Sequence, residues 1–329
     1  MRLYPIFLLT LLLAIVAIPH AVSLATIAGN LVLGQGLFAK DINPPGWSLS
    51  YEVLYYLLFI LISIFRVNPI VCAALALLVG LVNFALYPVL HTPIITSYCY
   101  GLVFWLLGLA MSRWLVAAQE VKPAYHLLLS CLFFVLCIDQ YNLVDTLLHK
   151  VTLMVHWNPV FPTGIAWDQV AIYFYDLSYL PFALLIILIF TGKKVAGRLW
   201  MLRALVGFSA INLLYVAKHA YSGDLDWGLY TLPTVFFLTS LTCLFVRSAW
   251  LEQVSQRLIK GGIWLGSLSY GIYLVHFPLL YLFSRFPAYS GTWAALGVRF
   301  ALLLALTIGT SYWLEKVMQP RLRAFFFKD

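Results

Sequence analysis

Ten unbroken apolar stretches constrain this chain more than any other feature: residues 5–28, 47–65, 69–90, 97–118, 124–139, 170–190, 203–218, 229–246, 263–284 and 293–314. A bilayer core about 30 Å thick takes roughly 20 residues of α-helix at 1.5 Å each. The runs are continuous, not alternating, which excludes the strands of an outer-membrane barrel. Backbone polar groups in lipid must be satisfied within the segment, so such runs become helices. The sequence therefore predicts an all-α fold, a polytopic membrane bundle of about 8–10 transmembrane helices. Stretches 124–139 and 203–218 are the weakest. The first is short, and the second contains Asn212 and ends at Lys218. Each also fits a re-entrant or interfacial helix.

Composition agrees. Of 329 residues, 63% are hydrophobic and 10% charged, against about 25% charged in soluble domains. Such a chain has too little polar surface for a soluble enzyme, a disordered tail or a secreted disulfide module, and the lipid bilayer is its first partner. None of the five cysteines (Cys72, Cys99, Cys131, Cys137, Cys243) has metal-ligand spacing, so no metal is expected and the thiols read as free and buried. The net charge of +8 is a matter of topology. With ten spans and both termini inside, fifteen of the twenty lysines and arginines lie inside. Lys40, Lys150, Lys218 and Arg285 lie outside, and Arg299 falls within the membrane. The positive-inside rule then places both termini in the cytoplasm and leaves no patch for nucleic acid. No internal repeat or soluble appendage is visible, so residues 1–329 read as a single transmembrane domain. The first run reads as a span and not as a cleaved leader. The longest hydrophilic stretch, about 140–169, carries Trp157, Pro159, Pro162, Gly164 and Trp167 and predicts an ordered outer cap.

Charged groups inside such runs cost at least about 2.5–3.5 kcal/mol each at mid-membrane, so they mark candidate sites. Glu52, Asp176, Arg299 and His276 fall about 7–12 Å below the outer boundary, counting 1.5 Å per residue. That common depth predicts a shared polar cavity. A plain Glu52–Arg299 ion pair, or an Asp176 hydrogen bond to a Tyr or the backbone, accounts for the same residues structurally. Glu315, beside Lys316, reads as interfacial.

Two segments concentrate the remaining chemistry. In Trp47-Ser48-Leu49-Ser50-Tyr51-Glu52-Val53-Leu54-Tyr55-Tyr56, helical spacing puts Ser48, Glu52, Tyr55 and Tyr56 on one face. Pro44-Pro45-Gly46 breaks the chain just before, and Ser48 is placed to cap the helix. In Gly266-Ser267-Leu268-Ser269-Tyr270-Gly271-Ile272-Tyr273-Leu274-Val275-His276-Phe277-Pro278, Ser269, Tyr273 and His276 share a face at i, i+4 and i+7. With the weaker Tyr312-Trp313-Leu314-Glu315-Lys316, these segments resemble the acyltransferase family 3 membrane proteins, which O-acylate surface and exported glycans. The first matches that family's W-S-L-x-x-E-x-x-F/Y-Y, the second its G-x-x-S-Y-x-x-Y-L-x-H-x-P. The likeness covers nearly the whole chain but begins late. Met1-Arg2-Leu3-Tyr4-Pro5 resembles the start of the family's third helix, and the first two helices, with their basic-x10-His pattern, have no counterpart.

The resemblance implies a membrane-bound O-acyltransferase in a bacterial inner membrane. It would move an acetyl or other short acyl group from acyl-CoA, a co-substrate and not a bound cofactor, to a carbohydrate hydroxyl. Acyl transfer needs a base and an oxyanion donor. His276 is the remaining candidate base, since imidazole changes charge near neutral pH, and Glu52 is the second catalytic candidate, orienting an imidazole or fixing the acceptor. Trp47, Tyr55 and Tyr273 suit stacking on sugar rings. Arg299 suits an anionic substrate group, and Ser48, Tyr56, Ser269 and Asp176 complete the substrate-binding set. Lys193, Lys194, Arg198 and Arg203 are placed for donor phosphates, although the topology rule explains them better. Two other readings stay open: a transporter or flippase for a glycan or lipid-linked sugar, and an inactive subunit completed by a partner protein.

Overall fold

The computed structural model describes residues 3–18, 22–35, 39–86, 93–154, 172–246, 248–286 and 291–326. In chain order the helices are α1 (Tyr4–Ala17), α2 (Leu24–Leu31), α3 (Trp47–Ile64), α4 (Pro69–Ala85), α5 (Pro93–Ala117), α6 (Tyr125–Gln140), α7 (Leu143–Met154), α8 (Leu180–Phe190), α9 (Arg198–Ser222), α10 (Trp227–Phe245), α11 (Ala249–Gly266), α12 (Ser269–Ser284), α13 (Trp293–Tyr312) and α14 (Gln319–Phe326). Turns of 3-10 helix, Pro44–Gly46 and Phe174–Tyr179, lead into α3 and α8, and a π-helical turn, Trp313–Met318, joins α13 to α14. The strands β1 (Gln119–Glu120) and β2 (Lys193–Lys194), far apart in sequence, form a small antiparallel pair. This is an all-α polytopic helical protein.

Among the described residues, five helices are long and apolar enough to cross a membrane: Pro44–Ile64, Ile94–Ser112, Arg198–Ser222, Trp227–Phe245 and Trp293–Leu322. α11 and α12 qualify together but meet at a 66° bend, and four shorter apolar helices cover Tyr4–Ala17, Pro69–Phe84, Tyr125–Gln140 and Tyr175–Phe190. Each predicted stretch thus coincides with an apolar helix, but with three corrections. The run 203–218, expected to be weak, belongs to a helix of 25 residues, because Asn212 finds a buried partner in the Cys137 thiol, 3.5 Å away. The run 5–28 is not one helix. Ile18, which precedes Pro19, is extended at ψ 132°, as the clash with a following proline ring requires, and α2 starts afresh with Ser23 accepting from the Thr26 amide. The run 263–284 is broken at Ser267–Leu268. In the predicted outer cap, Leu143–Met154 is helical; Trp157, Pro159, Pro162, Gly164 and Trp167 lie outside the described residues.

Two compact units divide the chain: residues 1–60 with 261–329, and residues 61–260. The first has a core of Ile6, Phe7, Leu11 and Ala14 from α1, Ile42 and Leu49, Leu274, Val275 and Leu279 from α12, and Leu314. The second is built round α6, whose Leu128, Cys131, Phe134, Cys137 and Ile138 pack with Phe182, Leu185 and Ile189 of α8, Leu205 of α9 and Phe237 of α10. Cys131, Cys137 and Cys243 are buried and all five cysteines are free. In the same unit the amide end of α6 is covered from a distance in sequence. The Glu252 carboxylate, in the first turn of α11, accepts from the Tyr125 amide at 3.0 Å, the His126 amide at 2.9 Å and His126 Nδ1 at 2.6 Å. Helix starts leave such amides without intrahelical partners, and a carboxylate is the most favourable group to meet them.

The antiparallel β1–β2 pair depends on one glycine. Gly192 sits at φ +65°, its carbonyl accepts from the Val121 amide at 2.7 Å, and a Cβ there would strike the Val121 carbonyl oxygen. Gly192→Ala is expected to destabilise the protein by about 2 kcal/mol or more, combining left-handed strain with a backbone clash. A lower midpoint of thermal unfolding in detergent would register it. The neighbouring Lys193 ammonium hydrogen-bonds Glu120 at 2.7 Å and holds that carboxyl below its usual range.

Candidate active site

In the first unit, α12 presents the second chemistry-bearing segment to an open groove of about 680 Å³ lined by Leu265, Gly266, Ser269, Tyr270, Ile272, Tyr273 and His276. The groove exists because the apolar run bends before it. Gly266 and Ser267 are poor helix residues, the Ser267 amide is shared between the Ile263 and Trp264 carbonyls, and the Leu268 amide tightens to Leu265. A new helix then starts at Ser269, as kinks at Gly/Ser pairs commonly allow. Ser269, Tyr273 and His276 do share one face of it.

His276 Nδ1 lies 3.2 Å from the Ile272 carbonyl oxygen. A carbonyl only accepts, so Nδ1 is the donor in this contact, and the imidazole tautomer protonated there has Nε2 as its acceptor nitrogen. The ring lies 6.1 Å from that of Tyr273 and 6.3 Å from that of Phe277. The Ser48 and Trp47 side chains lie near the Tyr273 hydroxyl, and the Asn43 side-chain amide, just before Trp47, donates to the carbonyl of Leu274, the residue after Tyr273, at 3.0 Å. The two segments, more than 200 residues apart, therefore meet at Tyr273. Trp47 stacks edge-on with Tyr51 at 5.2 Å, and Tyr51 with Tyr55 at 6.1 Å, an aromatic row along α3.

Glu52, half-buried on α3, accepts from the Tyr56 hydroxyl at 2.7 Å. It also lies near enough to Tyr270 of the groove to act on its hydroxyl electrostatically, as does Glu315. That hydroxyl donates to the Leu3 carbonyl at 3.1 Å. Tyr270 is the groove residue that sequence reasoning missed; its place beside Ser269 in the second segment was the available signal. Glu315 is 5% exposed, and its Oε1 accepts from the Gly271 amide at 3.1 Å, meeting the amide end of α12. Gly271 permits this close approach: a Cβ there would lie 3.0 Å from that of Ser311 on α13.

Other sequence-derived assignments separate. Ser48 does not cap α3; its hydroxyl donates to the Pro45 carbonyl at 3.3 Å, because the 3-10 turn already leads into the helix at Trp47. The Arg299 guanidinium donates to the Phe283 carbonyl and forms no ion pair with Glu52 among the described residues. Phe283 lies in the last turn of α12, where carbonyls lack helical donors and attract cations. Asp176 belongs to the second unit. There it caps the turn before α8, with Oδ2 accepting from the Tyr173 amide at 2.7 Å, which is its structural alternative. Within the first unit, Glu52, Arg299 and His276 thus engage separate partners, Tyr56, the Phe283 carbonyl and the Ile272 carbonyl, and the groove carries His276 with Tyr270. Of the basic set in the second unit, Lys193 is engaged by Glu120 and Arg203 lies over the Trp200 ring at 5.0 Å. No group of His, Cys, Asp and Glu suited to a metal occurs among the described residues.

Fold and groove together define an all-α polytopic protein with apolar, membrane-length helices and an imidazole-bearing groove at a helix bend. No family model, no curated protein and no solved structure matches the chain.

Proposed function

We propose that this protein is a membrane-bound O-acyltransferase that moves an acetyl or other short acyl group from acyl-CoA to a hydroxyl of a surface or exported carbohydrate. The observation that carries the reading is the approach of the turn leading into Trp47 and Ser48 to α12, where Asn43 Nδ2 lies 3.0 Å from the Leu274 oxygen between Tyr273 and His276, at a groove of about 680 Å³. Both segments of the family likeness thereby contribute to one place. His276 Nε2 takes the proton of the attacking sugar hydroxyl, whose oxygen adds to the thioester carbonyl. Collapse breaks the carbon–sulfur bond, the ester is formed, and the proton leaves with the CoA thiol. The Tyr273 hydroxyl is the donor for the developing oxyanion, that of Tyr270 being engaged by the Leu3 carbonyl, and Trp47 suits a sugar ring, with the buried Tyr51 and Tyr55 behind it. In this reading the chain lies in a bacterial inner membrane with both termini cytoplasmic, on the side that supplies the donor.

The test is protein reconstituted in liposomes with acetyl-CoA and an oligosaccharide acceptor. CoA thiol is expected to appear only when the acceptor is present, with an acetyl ester on the recovered sugar. Movement of a lipid-linked sugar across the vesicle without thiol release would overturn the proposal in favour of transport. Neither event would point to a subunit that acts only with a partner.

A further inference from the structure

Pro278 lies inside α12. It has no amide proton, so the carbonyl four residues earlier, that of Leu274, loses its helical donor. Leu274 is fully buried, where an unpaired carbonyl is rarely left. Asn43 supplies the missing donor: its Nδ2 lies 3.0 Å from the Leu274 oxygen. Asn43 is itself 1% exposed. Its own carbonyl accepts from the Gly46 amide at 2.7 Å and closes the 3-10 turn from which Trp47 and Ser48 emerge. One asparagine therefore ties that turn to α12 between Tyr273 and His276, in the same helical turn as the Ile272 carbonyl that holds His276 Nδ1. Asn43 Oδ1 has no donor among the described residues, so the residue is kept where half of its hydrogen-bonding capacity goes unused. A residue serving stability alone would be better replaced there.

We infer that Asn43 is a positioning residue: it stands in for the proton that Pro278 lacks and fixes the turn of α12 that aims Tyr273 and His276 into the groove. The kinetic consequence rests on the acyl-transfer reading; the geometric one does not.

The experiment uses the full chain in four forms: unaltered, Asn43→Ala, Pro278→Ala and the double variant. Acetyl transfer is measured as kcat and KM, and the rate at which diethyl pyrocarbonate modifies His276 is followed by mass spectrometry. Asn43→Ala is expected to lower kcat about 10–100-fold with KM nearly unchanged, the effect of an ångström-scale misplacement, and to alter the modification rate. In the double variant residue 278 regains an N–H four residues beyond Leu274, and both readings are expected to return most of the way. An unaltered His276 modification rate in Asn43→Ala, or a double variant as altered as Asn43→Ala, overturns the inference. If the unaltered protein transfers no acetyl group but the modification rates follow this pattern, the positioning role stands and the enzymatic reading falls.

Discussion

His276→Ala is expected to slow acetyl transfer by about 10²–10⁴-fold, the usual contribution of a positioned general base. The loss falls on kcat, with KM for the thioester little changed, because the imidazole acts on the proton that moves in the transition state and not on the resting donor. His276→Gln keeps a polar side chain without an imidazole and is expected to be as slow. Glu52→Gln serves as the comparison. Its carboxylate accepts from Tyr56 and acts on Tyr270 through space, so its removal is expected to cost less than that of His276. Initial rates of thiol release with each variant check both points, and undiminished turnover in His276→Ala would remove the base from the mechanism.

The second large effect concerns stability and lies in the other unit. Glu252→Ala removes one acceptor from two backbone amides and an imidazole at once. The amide end of α6 is then left bare, and the expected loss is about 2–4 kcal/mol, summing capping and charge-assisted hydrogen bonds. Glu252→Gln retains one carbonyl oxygen and is expected to recover about half of this. Thermal unfolding in detergent, with hydrogen exchange at Tyr125 and His126 as the local measure, distinguishes the two variants. α6 supplies the centre of its unit's core, so the effect is expected to spread beyond the helix end.

What the residues disclose in advance follows a physical line. Apolar runs announce helices because lipid leaves the backbone no other partner, and the face shared by Ser269, Tyr273 and His276 follows from helical spacing alone. Depth along a helix axis is equally legible, at 1.5 Å per residue. Direction round the axis toward a particular neighbour is not, and the misassigned residues are of this kind. Arg299 and Glu52 count to similar depths along the sequence, yet the guanidinium finds the open carbonyl end of α12 and the carboxylate finds a tyrosine one turn away. Asp176 satisfies the amide three residues before it, a local bond that competes well with any distant partner. The bond of Glu315 to the Gly271 amide was illegible for the same reason, since it depends on which helix lies against that side of the turn. Pro278 was visible, but which side chain would reach the oxygen it strands depends on the chain's path between α2 and α3.

The π-helical turn at Trp313–Met318 has a consequence for insertions and deletions. Such a turn accommodates one residue more than the α-helical repeat allows, so it acts as a phase shift between the helices on either side. Shortening this stretch by a single residue would remove that extra residue between α13 and α14, while Pro320, which has no amide proton, would still leave a gap in the ladder. Everything after it would then rotate by about 100°, turning Arg321 away from its present azimuth. A one-residue length difference at this position would act as a rotation of the carboxy-terminal helix, with almost no change in its distance along the axis.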